Sequence, residues 1–135
     1  MLKKLGKEVL FGIALIFLVN ILAMHFHWYG TVWWFDMPMH FAGGAWIAFV
    51  YYSVYINLRA SGRIQKIHLS RLVFGMIATT VLVGGIWELF EFSVDAITLA
   101  DLANPIDSIS DMFFDTAGAV FVALCGVYRL KNVIE

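Results

Sequence analysis

The apolar positions of this chain fall into four long runs separated by short polar breaks. The first runs from Val9 to Met24, the second from Met37 to Ile56, the third from Leu72 through Phe92, and the fourth from Ser108 to Arg129. Each has about the length of roughly 20 residues that a helix needs to cross a bilayer core. The pattern therefore predicts an all-α, four-helix transmembrane bundle with short loops, spans at about 8–28, 37–57, 72–93 and 108–129, and one integral membrane domain over 1–135. The first run has the flanking lysines of a signal peptide. No small-x-small cleavage site follows it and three more apolar runs do, so it reads as a retained span.

Local chemistry supports these elements. Asp36 precedes the second span and Pro38 lies just inside it, an acceptable helix start in which capping is the plain role of Asp36. Ser108 followed by Asp111 resembles a capping box with Asp standing where Glu or Gln is usual. Gly43, Gly44, Ala45 and Ala48, then Gly75, Gly84 and Gly85, then Ala117, Gly118 and Ala119 offer small-residue faces for close helix contact. Trp28, Tyr29, Trp33 and Trp34 form an interfacial aromatic belt, with His25 and His27 at the same level. Asn20 is the lone mid-span polar residue of the first helix and is expected to bond a neighbouring helix.

Composition agrees: 61% of the 135 residues are hydrophobic, 16% are aromatic, and the mean hydropathy is +0.82. A soluble domain has no use for that much apolar surface. The single cysteine, Cys125, excludes an internal disulfide and a thiolate zinc cluster and reads as a packed apolar side chain. There is no basic, aromatic-studded surface for nucleic acid and no Gly-rich phosphate loop. Charge placement says more than the net charge of −1. All 9 Lys and Arg lie at the N-terminus, in the connection around Asn57–Arg71, and at Arg129 and Lys131. Four spans put those three segments on one side, so the positive-inside rule predicts both termini in the cytoplasm. Of the 10 acids, only Glu8 and Glu135 then lie inside.

The stretch Trp87–Asp95 carries the chemistry. Glu88, Glu91 and Asp95 share one helical face at the outer end of the third span, with Gly84 one turn below. Acids in a span are costly and mark a functional site by default. The second and fourth spans enter from the same side, so Asp36, His40, Asp111 and Asp115 fall at a similar depth. Asp36 and His40 are four apart, and Asp107, Asp111 and Asp115 recur every four. No Lys or Arg is available there, so such acids must be protonated, well hydrated or neutralised by cations. Carboxylates with one imidazole suit a divalent ion: Mg²⁺, Mn²⁺, Fe²⁺, Zn²⁺ or Ca²⁺. The Glu-x-x-Glu spacing is that of di-metal carboxylate bundles, without their Glu-x-x-His.

Three motifs carry a family resemblance: Asp36-x-x-x-His40-Phe41 with Gly44; Trp87-Glu88-Leu89-x-Glu91; and Asp107-x-x-x-Asp111-Met112-Phe113 leading to Gly118-Ala119. In order and spacing, the chain resembles the VanZ-like membrane proteins and, more closely, the YjdF-like inner-membrane proteins over about Asp36–Val120. It departs from the VanZ-like pattern in having Met37 where Lys is usual, Glu91 for Gln, Asp115 for Asn, and no Arg before the last motif. These departures make the site more acidic and weaken any transfer of a glycopeptide-resistance role. The resemblance implies a small multi-pass protein of the bacterial cytoplasmic membrane linked to envelope or lipid processes.

The expected function is a metal-dependent membrane hydrolase or transferase acting on a lipid or lipid-linked substrate at the outer leaflet. In it His40, Glu88, Asp111 and Asp115 bind the divalent metal ion, and Glu91 or Asp36 acts as general base. The alternatives are a cation or proton transporter, against which the polar-poor inner halves of the spans count, and a non-catalytic module whose cation holds the helices together. Membrane lipids are the expected surroundings and nucleic acid is not a partner.

Overall fold

A computed structural model describes residues 2–66, 68–98 and 105–134 of the chain. The elements are α1 (Leu2–His25), α2 (Trp28–Thr31), α3 (Asp36–Ala60), α4 (Leu69–Thr98) and α5 (Pro105–Ile134). The architecture is all-helical, with no strand among the described residues. Four of the helices are long and apolar enough to cross a membrane.

Helix ends follow local chemistry that apolar periodicity does not report. α1 stops at His25 because His27 adopts a left-handed backbone, φ 59° and ψ 34°, which a right-handed helix cannot continue through. The chain restarts as the single turn α2, where Thr31 Oγ1 donates to His27 O at 2.9 Å. α3 begins at Asp36, but Asp36 does not cap it: Phe35 is the cap residue, without a side-chain cap bond, and the Asp36 carboxylate turns to His40 instead. α3 ends where Gly62 takes φ 75°, after Ser61 N–H bonds Asn57 O and Gly62 N–H bonds Arg59 O. α5 starts at Pro105, so Ser108 sits inside the first turns and the expected capping box does not form the helix start. Proline at the first helical position has its φ already set and no N–H to leave unpaired, which explains the earlier start. Asp101 and Asn104, expected in the preceding connection, lie outside the described residues.

α3 is the central helix, packing most extensively on α5, then on α4, and along α1 on its other side. The buried core is small-residue rich: Ala48, Ala119 and Ala123 with Leu72 and Met76. Large apolar side chains point outward instead, among them Phe11, Phe17, Phe74, Leu82 and Phe121. That inverted arrangement suits a protein whose solvent is lipid and whose helices approach through small residues. α1 is tied to α3 by Trp46 Nε1, which donates to Val9 O at 3.0 Å, while the indole lies against Gly12. Buried Thr80 of α4 donates to Met76 O at 3.0 Å and reaches Gly44 O of α3 at 3.5 Å.

The tightest approach lies between α3 and α5. A Cβ on Gly44 would overlap the backbone of Asp115, and one on Gly118 would overlap the Phe41 carbonyl and lie 2.7 Å from Ala45 N. Each helix thus presses a glycine into the other's backbone. This crossing fixes the rotation of both helices at the level of their polar residues, and it delivers Asp115 to the side of α3 that carries His40.

Candidate metal centre

Asp36 and His40 leave α3 one turn apart on the same face, as i and i+4 residues must. Asp111 and Asp115 do the same on α5. The glycine crossing brings the two faces together, and His40 becomes the hub. Its Nε2 lies 3.6 Å from Asp36 Oδ1 and 3.7 Å from Asp111 Oδ1, and its Nδ1 lies 3.5 Å from Asp115 Oδ1. The imidazole therefore separates the acids into two sets. Asp36 and Asp111 share one nitrogen; Asp115 has the other.

The two sides differ in access. The Asp36 side chain retains 37% of its exposure, so the Nε2 side opens toward the end of the bundle. Asp111 and Asp115 are buried. On the Nδ1 side glycines close in: a Cβ at Gly84 of α4 would lie 2.6 Å from Asp115 Oδ2 and 3.2 Å from Met112 Sδ. Three helices therefore wall the Asp115 carboxylate.

One donor atom from each of Asp36, His40 and Asp111 lies within 4.8 Å of the others. Metal–donor bonds of about 2.0–2.4 Å place adjacent donors roughly 3–3.5 Å apart and opposite donors about 4–5 Å apart. The Nε2 separations of 3.6 and 3.7 Å are long for direct hydrogen bonds and within a few tenths of an ångström of that first spacing. Two oxygens and one nitrogen, with water access beside Asp36, fit a divalent ion.

Glu88 approaches from α4. It is half-buried, its Oε1 is shut off from solvent without a hydrogen-bond partner, and it lies within electrostatic reach of Asp36, Glu91 and Asp111. A buried carboxylate oxygen left without a donor is costly unless something positive approaches it. Glu91, one turn further on, is exposed and accepts a 2.8 Å hydrogen bond from Trp87 Nε1. It stands at the rim, within electrostatic reach of His40. The Asp95 side chain lies outside the described residues. Among the described residues the only basic side chain within ion-pair distance of these acids is the imidazole of His40.

Two features were not anticipated from sequence. Tyr29 of α2 lies within electrostatic reach of Asp36 and Glu91, and its hydroxyl donates to Asn20 Oδ1 at 2.6 Å. This bond gives Asn20 a partner on the α2 turn, and burial, then Asp36, then Glu91 push the phenol pKa above its ordinary value. Beside the cluster, Trp34, Met37, Pro38, Phe41 and Phe114 line an open apolar groove of about 400 Å³. The earlier signal for both is the aromatic belt that immediately precedes Asp36 in the chain.

Residues 3–132 match a family model described as Predicted membrane protein (DUF2238). No curated protein and no solved structure matches the chain.

Proposed function

The chain belongs to the DUF2238 family of predicted membrane proteins, and from that premise we propose that it is a metal-dependent membrane enzyme whose His40, Asp36 and Asp111 hold a divalent cation at the outer leaflet. The carrying observation is that His40 Nε2 faces two acids from different helices at coordination-like spacing, with water access beside Asp36 and, among the described residues, no Lys or Arg within ion-pair distance. Asp36 is here a ligand in place of the alternative role of base. Glu88, with its unpartnered buried oxygen, is the next donor. Glu91 remains as general base: it sits at the rim, oriented by Trp87. A bound divalent ion would supply Lewis acidity and a more acidic water. The acids would otherwise accumulate uncompensated negative charge in a partly desolvated space.

The substrate class is a lipid or lipid-linked molecule. A polar centre beside an apolar groove at the end of membrane-spanning helices suits an amphiphile, with the reacting group at the acids and a chain along Met37, Phe41 and Phe114. The VanZ-like and YjdF-like resemblance of the three motifs adds an envelope setting in the bacterial cytoplasmic membrane. The distribution of Lys and Arg supports both termini on the cytoplasmic side, and the four spans are read as one domain over 1–135.

Metal analysis of the purified full chain tests the assignment. Wild type should carry a stoichiometric divalent ion, and His40→Ala and Asp111→Asn should lose it. Retention by both variants would overturn the site. Cation flux into proteoliposomes abolished by Glu88→Gln would favour a transporter over an enzyme.

A further inference from the structure

Asp115 was expected among the metal ligands, and its place in the bundle points to a different task. A ligand set needs several donors converging on one point. Around His40 Nδ1 there is a single acid, Asp115, with two helices close about its carboxylate: a Cβ on Gly84 of α4 would lie 2.6 Å from Oδ2, one on Gly43 would lie 4.0 Å from Oδ1, and the Asp115 backbone rests on Gly44. No second carboxylate pairs with that nitrogen among the described residues, whereas Nε2 has two. An ion at Nδ1 would have two protein donors, one of them the buried Asp115. An ion at Nε2 would have three, with access from solvent.

We propose that Asp115 is a positioning residue: when an ion binds, its Oδ1, 3.5 Å from Nδ1, closes in to accept a hydrogen bond from the Nδ1–H of a neutral His40, which leaves the Nε2 lone pair directed at the space shared with Asp36 and Asp111. Metal-ligating histidines commonly donate their other ring N–H to a carboxylate, which fixes tautomer and ring orientation and raises ligand basicity. The glycines give this arrangement its structural cause. Gly44 and Gly118 bring α5 close enough for the contact, and Gly84 leaves the volume that the second carboxylate oxygen occupies. Gly84 is thus part of the centre although it carries no side chain. Buried Thr80 extends the support by reaching Gly44 O from α4.

This inference rests on the cation site proposed above, and the experiment separates the two. The full chain in lipid nanodiscs, with ¹⁵N-labelled histidine, is titrated with Zn²⁺ alone, and His40 is assigned by the spectrum of His40→Ala. The expected result is that Nε2 of His40 shifts on metal binding while Nδ1 keeps its proton. Asp115→Asn should bind the same number of ions as wild type with affinity about 10–100-fold weaker, the usual size of such an effect. Gly84→Ala should weaken affinity in the same direction without touching any ligand, because its Cβ would lie 2.6 Å from Asp115 Oδ2. Gly85→Ala, whose Cβ meets nothing within 4 Å, should leave affinity unchanged. Loss of ion stoichiometry in Asp115→Asn equal to that in His40→Ala, or metal binding through Nδ1, overturns the positioning role and leaves the cation site standing. A wild-type protein that takes up no Zn²⁺ overturns both.

Discussion

At the residue scale, the centre turns on one imidazole surrounded by carboxylates that have no Lys or Arg partner among the described residues. Each acid is distinguished by what it touches. Asp36 and Asp111 meet Nε2, Asp115 meets Nδ1, Glu88 has an oxygen with no donor, and Glu91 is held by Trp87. Tyr29 reports on this charge from outside the spans. Its phenol pKa is raised by burial first and by Asp36 and Glu91 next. A raised pKa means that folding favours the neutral phenol. Its stabilising contribution is therefore complete below the unfolded-state pKa of about 10 and is lost as pH rises through the higher folded value. Asp36→Asn removes one of the raising charges, so Tyr29 should titrate lower than in wild type yet remain above its ordinary value, because burial persists. Phenolate absorbance, referenced to Tyr29→Phe, measures this; a Tyr29 titration that ignores Asp36→Asn would place α2 away from the acids.

At the element scale, the polar site and the tightest helix crossing coincide. Gly44 and Gly118 seat α3 and α5 backbone against backbone at the level of Asp115. Gly44→Ala would drive a methyl into the Asp115 backbone, which cannot swing aside as a flexible side chain could. The expected cost is that of overpacking, about 1–3 kcal/mol. Gly85→Ala meets open space and should be neutral or stabilising by up to about 1 kcal/mol, since alanine is the better helix former. Thermal unfolding in detergent measures both; equal stability of the two variants would mean that the crossing is looser than its geometry. This crossing also marks the limit of what the sequence discloses. The apolar runs disclose four helices, and the i, i+4 spacing of Asp36 and His40 discloses their pairing. Depth counting brings α3 and α5 to the same layer. Which ring nitrogen each acid meets depends on the rotation of α5 about its axis, set by a three-dimensional fit of glycines to a backbone. The left-handed turn at His27 was equally hidden, because no glycine or asparagine marks it.

On the scale of the whole molecule, α3, α4 and α5 form the packed unit, and α1 lies along α3, held by the Trp46 indole. The acids gather at the end where α3 and α5 begin and α4 finishes, and the basic residues at the other. The proposed orientation, with the basic end in the cytoplasm, turns α2 outward. A membrane-impermeant maleimide should label Gly30→Cys in intact cells and leave Ser61→Cys unlabelled until the membrane is opened. The reverse pattern would invert the protein and move the acid cluster to the inner leaflet. Among the described residues, no Lys or Arg lies within ion-pair distance of the cluster to take the place of an ion.

The most direct measurement is an anomalous-scattering map of crystals of the full chain grown with Mn²⁺. A peak bonded to His40 Nε2 and shared by Asp36 and Asp111, with Asp115 on Nδ1, is the predicted result. A map without a peak there, in which His40 is a doubly protonated imidazolium bonded directly to the acids, would contradict it.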